Sequence, residues 1–259
     1  LNRNYPVQWG TFGERGSRSS RSSDYYRGIA AASEPETKAM INLADRYPLV
    51  GSISYHTGTI AVLSPYTIEK LKNPKVDEAW SVGSELAKHL GRHPQKMTFR
   101  VKRNLYPVDG VDQDWHRYRH GTLALLVEGA IGPPVNRQHR EFIIKYMRPS
   151  WTRFITRYLD GPSISIKTVD KERHPVSVPV SIAGMRPPND EVWVSRCPGG
   201  YYRRYIPRAG RYKVSIDLPD QVVEKAITVG ERIKSIEVIL PVSLPNRRCS
   251  ADAASSTQK

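Results

Sequence analysis

Residues 123–129 read LALLVEG. Five apolar residues in succession leave no face for solvent, so the run predicts a strand covered on both sides, as in the sheet of an α/β fold. Toward the N-terminus, residues 98–105 alternate like a strand, 77–90 carry a helical apolar period, and 49–56 (LVGSISYH) form a mostly apolar strand ending at His56. Before these, Ser33-Glu34-Pro35-Glu36 is a helix start, with Ser33 as the expected N-cap and Glu36 three residues on. Toward the C-terminus, residues 138–158 have a long amphipathic pattern that Pro149 is expected to kink or split. Strands alternating with helices indicate an α/β sheet.

The character changes at Gly161-Pro162. Seven short strand-like runs follow, at 164–169, 176–182, 191–195, 201–206, 212–216, 224–229 and 236–240, separated by Pro and Gly turn signals. That spacing predicts an antiparallel β-sandwich over 161–242, contiguous enough to fold by itself. Residues 243–259 have the composition of a disordered tail. Residues 10–33, rich in Gly, Ser and Arg, read as a long surface loop.

The chain has 259 residues and a formal charge of +15. The surplus is spread: residues 1–150 hold 22 Lys/Arg against 14 Asp/Glu, and residues 151–259 hold 18 against 11. Even spreading describes a solvated surface, not a groove that tracks phosphates, so a nucleic-acid partner is not expected. No apolar run is long enough to predict a membrane span. Cys197 and Cys249 are too few for a disulfide scaffold or a thiolate zinc site, and they leave the compartment undecided.

Several polar residues stand where chemistry would need them. His56 ends a strand, where α/β sheets open onto clefts, and could ligate a metal or be a structural histidine. Glu128 ends the apolar run, where partial burial would raise its pKa toward that of a general base. Arg3 offers a planar fork for a carboxylate and Asn2 adds a donor. The pairs His116/His120 and His89/His93 have i, i+4 spacing but lack the glutamate of a zinc-protease helix. GTFGERG at 10–16 lacks the flanking strand and helix of a phosphate loop.

Taken in order, LNRN (1–4), YRG…SEPET (26–37), YHTGTIAVLSPY (55–66), YPVDGVDQDW (106–115) and VEG (127–129) resemble the landmarks of the zinc metallocarboxypeptidases of the carboxypeptidase A type. Residues 150–242 resemble the transthyretin-like sandwich of the regulatory carboxypeptidases. The resemblance implies that residues 1–160 are the C-terminal part of a mixed-sheet catalytic domain. It also implies that Zn2+ is the cofactor and that a peptide or protein C-terminus is the substrate. His56 would be a zinc ligand. Asn2 and Arg3 would grip the substrate's terminal carboxylate, Tyr106 would close over the substrate, and Glu128 would carry the proton. Gln113 falls at the floor of the side-chain pocket. It is neither apolar nor acidic, and Thr67, where the regulatory branch places its acid, carries none, so a preference for basic residues does not follow.

The family's His-x-x-Glu ligand pair does not occur in this chain. The other two zinc ligands are therefore expected upstream, with the chain a fragment that is inactive alone. By resemblance the protein is secreted or periplasmic. The alternative is a non-catalytic binding protein, a degenerate carboxypeptidase-like domain whose sandwich docks a partner.

Overall fold

The computed structural model describes residues 1–94 and 97–250. Its first region is a mixed sheet of β1 (Gly51–His56), β2 (Thr59–Leu63), β3 (Val101–Lys102) and β4 (Leu123–Ala130), in the order β1-β4-β2-β3. β4 runs parallel to β1 and antiparallel to β2, and β3 is parallel to β2. All eight residues of β4 are buried. One face packs Leu123, Leu125 and Val127 with Ile60 and Val62 against two helices, through Val82 and Leu86 of α2 (Glu78–Leu90) and Met147 and Phe154 of α4 (Arg137–Asp160). Ala61, Leu63 and Leu126 cluster on the other face. That two-sided cover is the physical reason for the unbroken apolar run.

The remaining helices are α1 (Pro35–Arg46) and α3 (Asp112–His120). Ser33 does not cap α1. Glu34 holds the N-cap position without a side-chain bond to the helix, and Pro35 pre-sets the first turn. The Ser33 hydroxyl instead donates to Glu34 Oε1 (2.7 Å) and accepts from Asn4 Nδ2 (3.1 Å). Buried Asn4 also donates to the carbonyls of Arg27 (2.7 Å) and Ala30 (2.9 Å), so it pins the long loop before α1. α4 runs through Pro149 without a break.

The second region comprises two three-stranded sheets around one core that includes Ile164, Ile166, Trp193, Ile206, Val214 and Ile216. β5 (Ser163–Val169) lies between β10 (Ile233–Ile239) and β7 (Tyr201–Tyr205), and β8 (Gly210–Asp217) lies between β6 (Val180–Ile182) and β9 (Val222–Val229). One pair, β10 with β5, is parallel, and the others are antiparallel. Residues 191–195 form no strand, and 176–182 pair as one only from Val180; Pro175 and Pro179 lack the N–H a ladder requires.

Disorder from residue 243 does not hold for the described part of that segment. Cys249 is disulfide-bonded to Cys197, and the backbone N–H groups of Ser177 and Cys249 donate to Arg247 (2.8 Å) and Pro175 (2.8 Å). Arg248 Nε donates to buried Asp170 (2.7 Å). Residues 251–259 lie outside the described residues.

The two regions share buried groups. Arg157 of α4 donates to Glu85 (2.7 Å) in α2 and to the carbonyls of Pro162 (2.7 Å) and Ile206 (2.7 Å). The guanidinium groups of Arg117 and Arg204 both lie 4.4 Å from the Trp193 ring centroid. Gly121, at φ 63°, ends α3 where any Cβ would meet the Arg204 guanidinium.

Candidate active site

His56 and Glu128 face each other in register on the neighbouring parallel strands β1 and β4. Paired residues of adjacent strands lie about 5 Å apart and point to the same side of the sheet. Both line one cleft of about 490 Å³, together with Asn2, Arg3 and Tyr106. Gln113 lines a smaller pocket of about 20 Å³ that opens beside the same Asn2, Arg3, His56 and Tyr106. Asn2, Arg3, His56, Tyr106 and Glu128 thus line one cleft, and Gln113 lines the pocket beside it.

Arg3 is 7% exposed, yet no carboxylate is bonded to it among the described residues. Its Nη2 reaches the Tyr106 hydroxyl at 3.5 Å, its Nη1 donates to the Asn2 carbonyl, and its Nε has no partner. The guanidinium lies 5.5 Å from the Tyr25 ring and 6.0 Å from the Tyr106 ring. A buried cation without a counter-ion is costly, and a carboxylate would relieve it. Gly110, at φ 62°, lets the backbone close on this segment: it accepts from the Tyr5 N–H (2.9 Å), and a Cβ would come within 2.5 Å of the Arg3 carbonyl.

Burial lowers the pKa of His56 below its usual 6.5, opposed by the charge of Asp112 and reinforced by Arg3. The imidazole is therefore neutral at pH 7, as a metal ligand must be. Burial raises the pKa of Glu128, with Arg3 opposing, and its Oε2 has no partner. Asp112 was not apparent from the sequence. Ser54 donates to its Oδ2, its backbone N–H donates to Asn2 Oδ1 (2.7 Å), and its Oδ1 is buried without a partner. The only sequence signal was that Ser54 and His56, two apart on a strand, share a face.

The zinc carboxypeptidase family pattern matches residues 1–151. The chain belongs to the zinc carboxypeptidase family. No curated protein matches this carboxypeptidase-family chain. Solved structures similar to it include thrombin activatable fibrinolysis inhibitor, at 22% identity and a TM-score of 0.45 over 60% of this chain and 39% of that one. The bovine protein in complex with tick carboxypeptidase inhibitor is similar at 21% identity and a TM-score of 0.46, over 60% of this chain and 57% of that one. The family chain described here therefore spans less than two thirds of either.

Family membership implies zinc, and a catalytic zinc takes three protein ligands. The described residues of the cleft offer one imidazole, His56, and Glu128 as the neighbouring carboxylate. This donor set fits part of a zinc shell and does not complete one. A cluster of Asp170, Glu172 and His174 could surround a cation, but it lies in the sandwich, and Arg248 already pairs with both of its carboxylates. No helix among the described residues is long and apolar enough to cross a membrane.

Proposed function

We propose that this chain contributes one side of the active site of a zinc carboxypeptidase that removes C-terminal residues from peptides. The observation that carries the reading is a buried Arg3, bonded to no carboxylate among the described residues, in the same cleft as in-register His56 and Glu128. Arg3 and Asn2 bind the substrate's terminal carboxylate, an anion that matches the guanidinium fork. Tyr106, half exposed and within reach of Arg3, closes over the bound peptide. Glu128, its pKa raised by burial, accepts a proton from water and delivers it to the leaving amine. His56 is one zinc ligand, and the others come from polypeptide outside residues 1–259. Bound zinc supplies Lewis-acid polarisation of the scissile carbonyl.

The free edge of β1 supports this division of labour. β1 is an edge strand, and a cavity of about 540 Å³ lies between it and α4, walled by Tyr55, Ile144, Met147 and Trp151 and reaching His56. Additional polypeptide paired along that edge would arrive beside His56. The disulfide supports a secreted or periplasmic setting, since such bonds persist in oxidising compartments.

Zinc calorimetry on residues 1–259 and on the full-length gene product tests the proposal. Weak binding by the former, with tight binding and release of C-terminal residues by the latter, is expected. Glu128→Gln in the full-length product is expected to keep zinc and lose turnover. A full-length product with an intact cleft that neither binds zinc nor cleaves peptides would replace this reading with that of a non-catalytic binding protein.

A further inference from the structure

The pocket beside Arg3 is lined by the first region alone, and the loop that carries Thr67 is braced by the second. Gln113, 2% exposed, donates from Nε2 to Thr67 Oγ1 (3.1 Å). The Thr67 hydroxyl has one proton, and it goes to Asp114 Oδ2 (3.0 Å). Thr67 must then accept from Gln113, which fixes the amide's orientation and leaves Gln113 Oε1 buried with no partner. Burial pushes the pKa of Asp114 up to about 7, opposed by the bonds it accepts from the backbone N–H groups of Thr67 (2.8 Å) and Ile68 (3.0 Å), so it offers the pocket no free carboxylate. The other pocket walls include Leu63, Val108, Val111 and Leu126. At about 20 Å³ the pocket has room for about one water-sized group.

What holds Thr67 in place comes from the sandwich. The hydroxyl of fully buried Tyr66, its chain neighbour, donates to Glu191 Oε1 (2.5 Å). Glu191 Oε2 accepts from the Asn189 N–H (2.7 Å). Asn189 in turn clamps Lys72, accepting from its N–H (2.7 Å) and donating to its carbonyl (2.9 Å). Both ends of the 66–72 loop are thus tied to residues 189–191, and a path leads from Glu191 by a hydrogen bond to Tyr66, through the backbone to Thr67, and by a hydrogen bond to Gln113.

We propose that the β-sandwich sets the selectivity of this pocket, with Glu191 as a positioning residue acting through Tyr66. The pocket then takes a short C-terminal side chain that donates a hydrogen bond to Gln113 Oε1. The ligand class rests on the carboxypeptidase reading, whereas the positioning of Gln113 does not. A hydroxyl-bearing side chain satisfies the orphan oxygen. An apolar isostere leaves it unpaired, a long basic one finds neither room nor a free carboxylate, and an acidic one meets an acceptor.

Two measurements on residues 1–259 test this. In NMR spectra of the ligand-free chain, the Gln113 side-chain NH₂ signals are expected away from the shifts of a solvated glutamine and protected from solvent exchange. Tyr66→Phe should move them and remove the protection, while Glu191→Gln, which keeps an acceptor for the tyrosine, should largely preserve both. The second measurement is binding of N-acetyl-serine against its isostere N-acetyl-2-aminobutyrate. Wild type should favour the former by about tenfold or more, and Tyr66→Phe should reduce the ratio below about threefold with little change for the aminobutyrate compound. Unchanged Gln113 signals in Tyr66→Phe overturn the positioning, and equal wild-type affinities overturn the selectivity. If neither compound binds, the carboxylate grip of Arg3 has failed, and the Gln113 signals still decide the positioning. Should Tyr66→Phe not fold, Glu191→Ala removes the acceptor of the Tyr66 hydroxyl and is read identically.

Discussion

The core of the sandwich and the floor of the cleft both bury polar groups, and they treat them differently. In the sandwich, the Thr168 hydroxyl lies within hydrogen-bonding distance of Val176 O (2.8 Å), Ser195 Oγ (2.7 Å) and Gly200 O (3.2 Å), and Ser195 Oγ accepts from the Val178 N–H (3.0 Å). In the cleft, Arg3 Nε, Glu128 Oε2, Gln113 Oε1 and Asp112 Oδ1 are buried without partners. An unmet buried group costs about 1–3 kcal/mol, so a site that carries several is held together by its surroundings. Ser181 Oγ and Arg204 Nε in the sandwich also lack partners, so the contrast is one of clustering: several unmet groups gather around the cleft.

The contrast can be broken at its strongest point first. Arg117 and Glu78 form an almost fully buried ion pair (2.6 Å) beneath Trp193. Arg117→Met strands the glutamate and should cost about 3–5 kcal/mol in urea unfolding. Next, replacing Cys197 and Cys249 by serine opens a loop of 52 residues and should cost about 2–4 kcal/mol, with reductant having the same effect on wild type. In the cleft the sign should reverse. Glu128→Gln removes an unpaired buried carboxylate and should leave the unfolding free energy from urea titration unchanged or raise it by up to about 1 kcal/mol. A loss as large as that of the disulfide variant would erase the distinction between the two regions.

The smallest effects are those of titration. By NMR, His56 should titrate below 6.5, and Asp112→Asn should lower its midpoint further. Arg3→Gln should raise the midpoints of both His56 and Glu128, because Arg3 opposes protonation of each. The linkage has opposite signs. Folded His56 releases its proton where the unfolded chain still holds one, so its contribution to stability rises with pH until about 6.5. Folded Glu128 retains its proton where the unfolded chain has lost it, so its contribution falls as pH climbs above 4.5.

How much of this was readable beforehand depends on the range of the forces. β4 was legible because burial on both faces writes itself into consecutive residues. His56 and Glu128 were legible as strand-end polar residues, and the order of landmarks around them carried the family. The strand expected over 98–105 shrinks to Val101–Lys102, because β2 offers only Val62 and Leu63 as partners. The disulfide was not legible, since a count of two cysteines says nothing about their separation in space. Asp112 with Ser54, and Glu191 with Tyr66, are contacts across 58 and 125 residues, beyond any local pattern.

α4 has 24 residues, which at about 1.5 Å each makes a rod of roughly 36 Å. Near its middle, Met147 and Trp151 form the wall of the cavity beside His56, and toward its end Arg157 is bolted to the sandwich. Torque applied to the sandwich by anything that grips it would be transmitted along this rod and tilt that wall, giving the molecule a built-in lever.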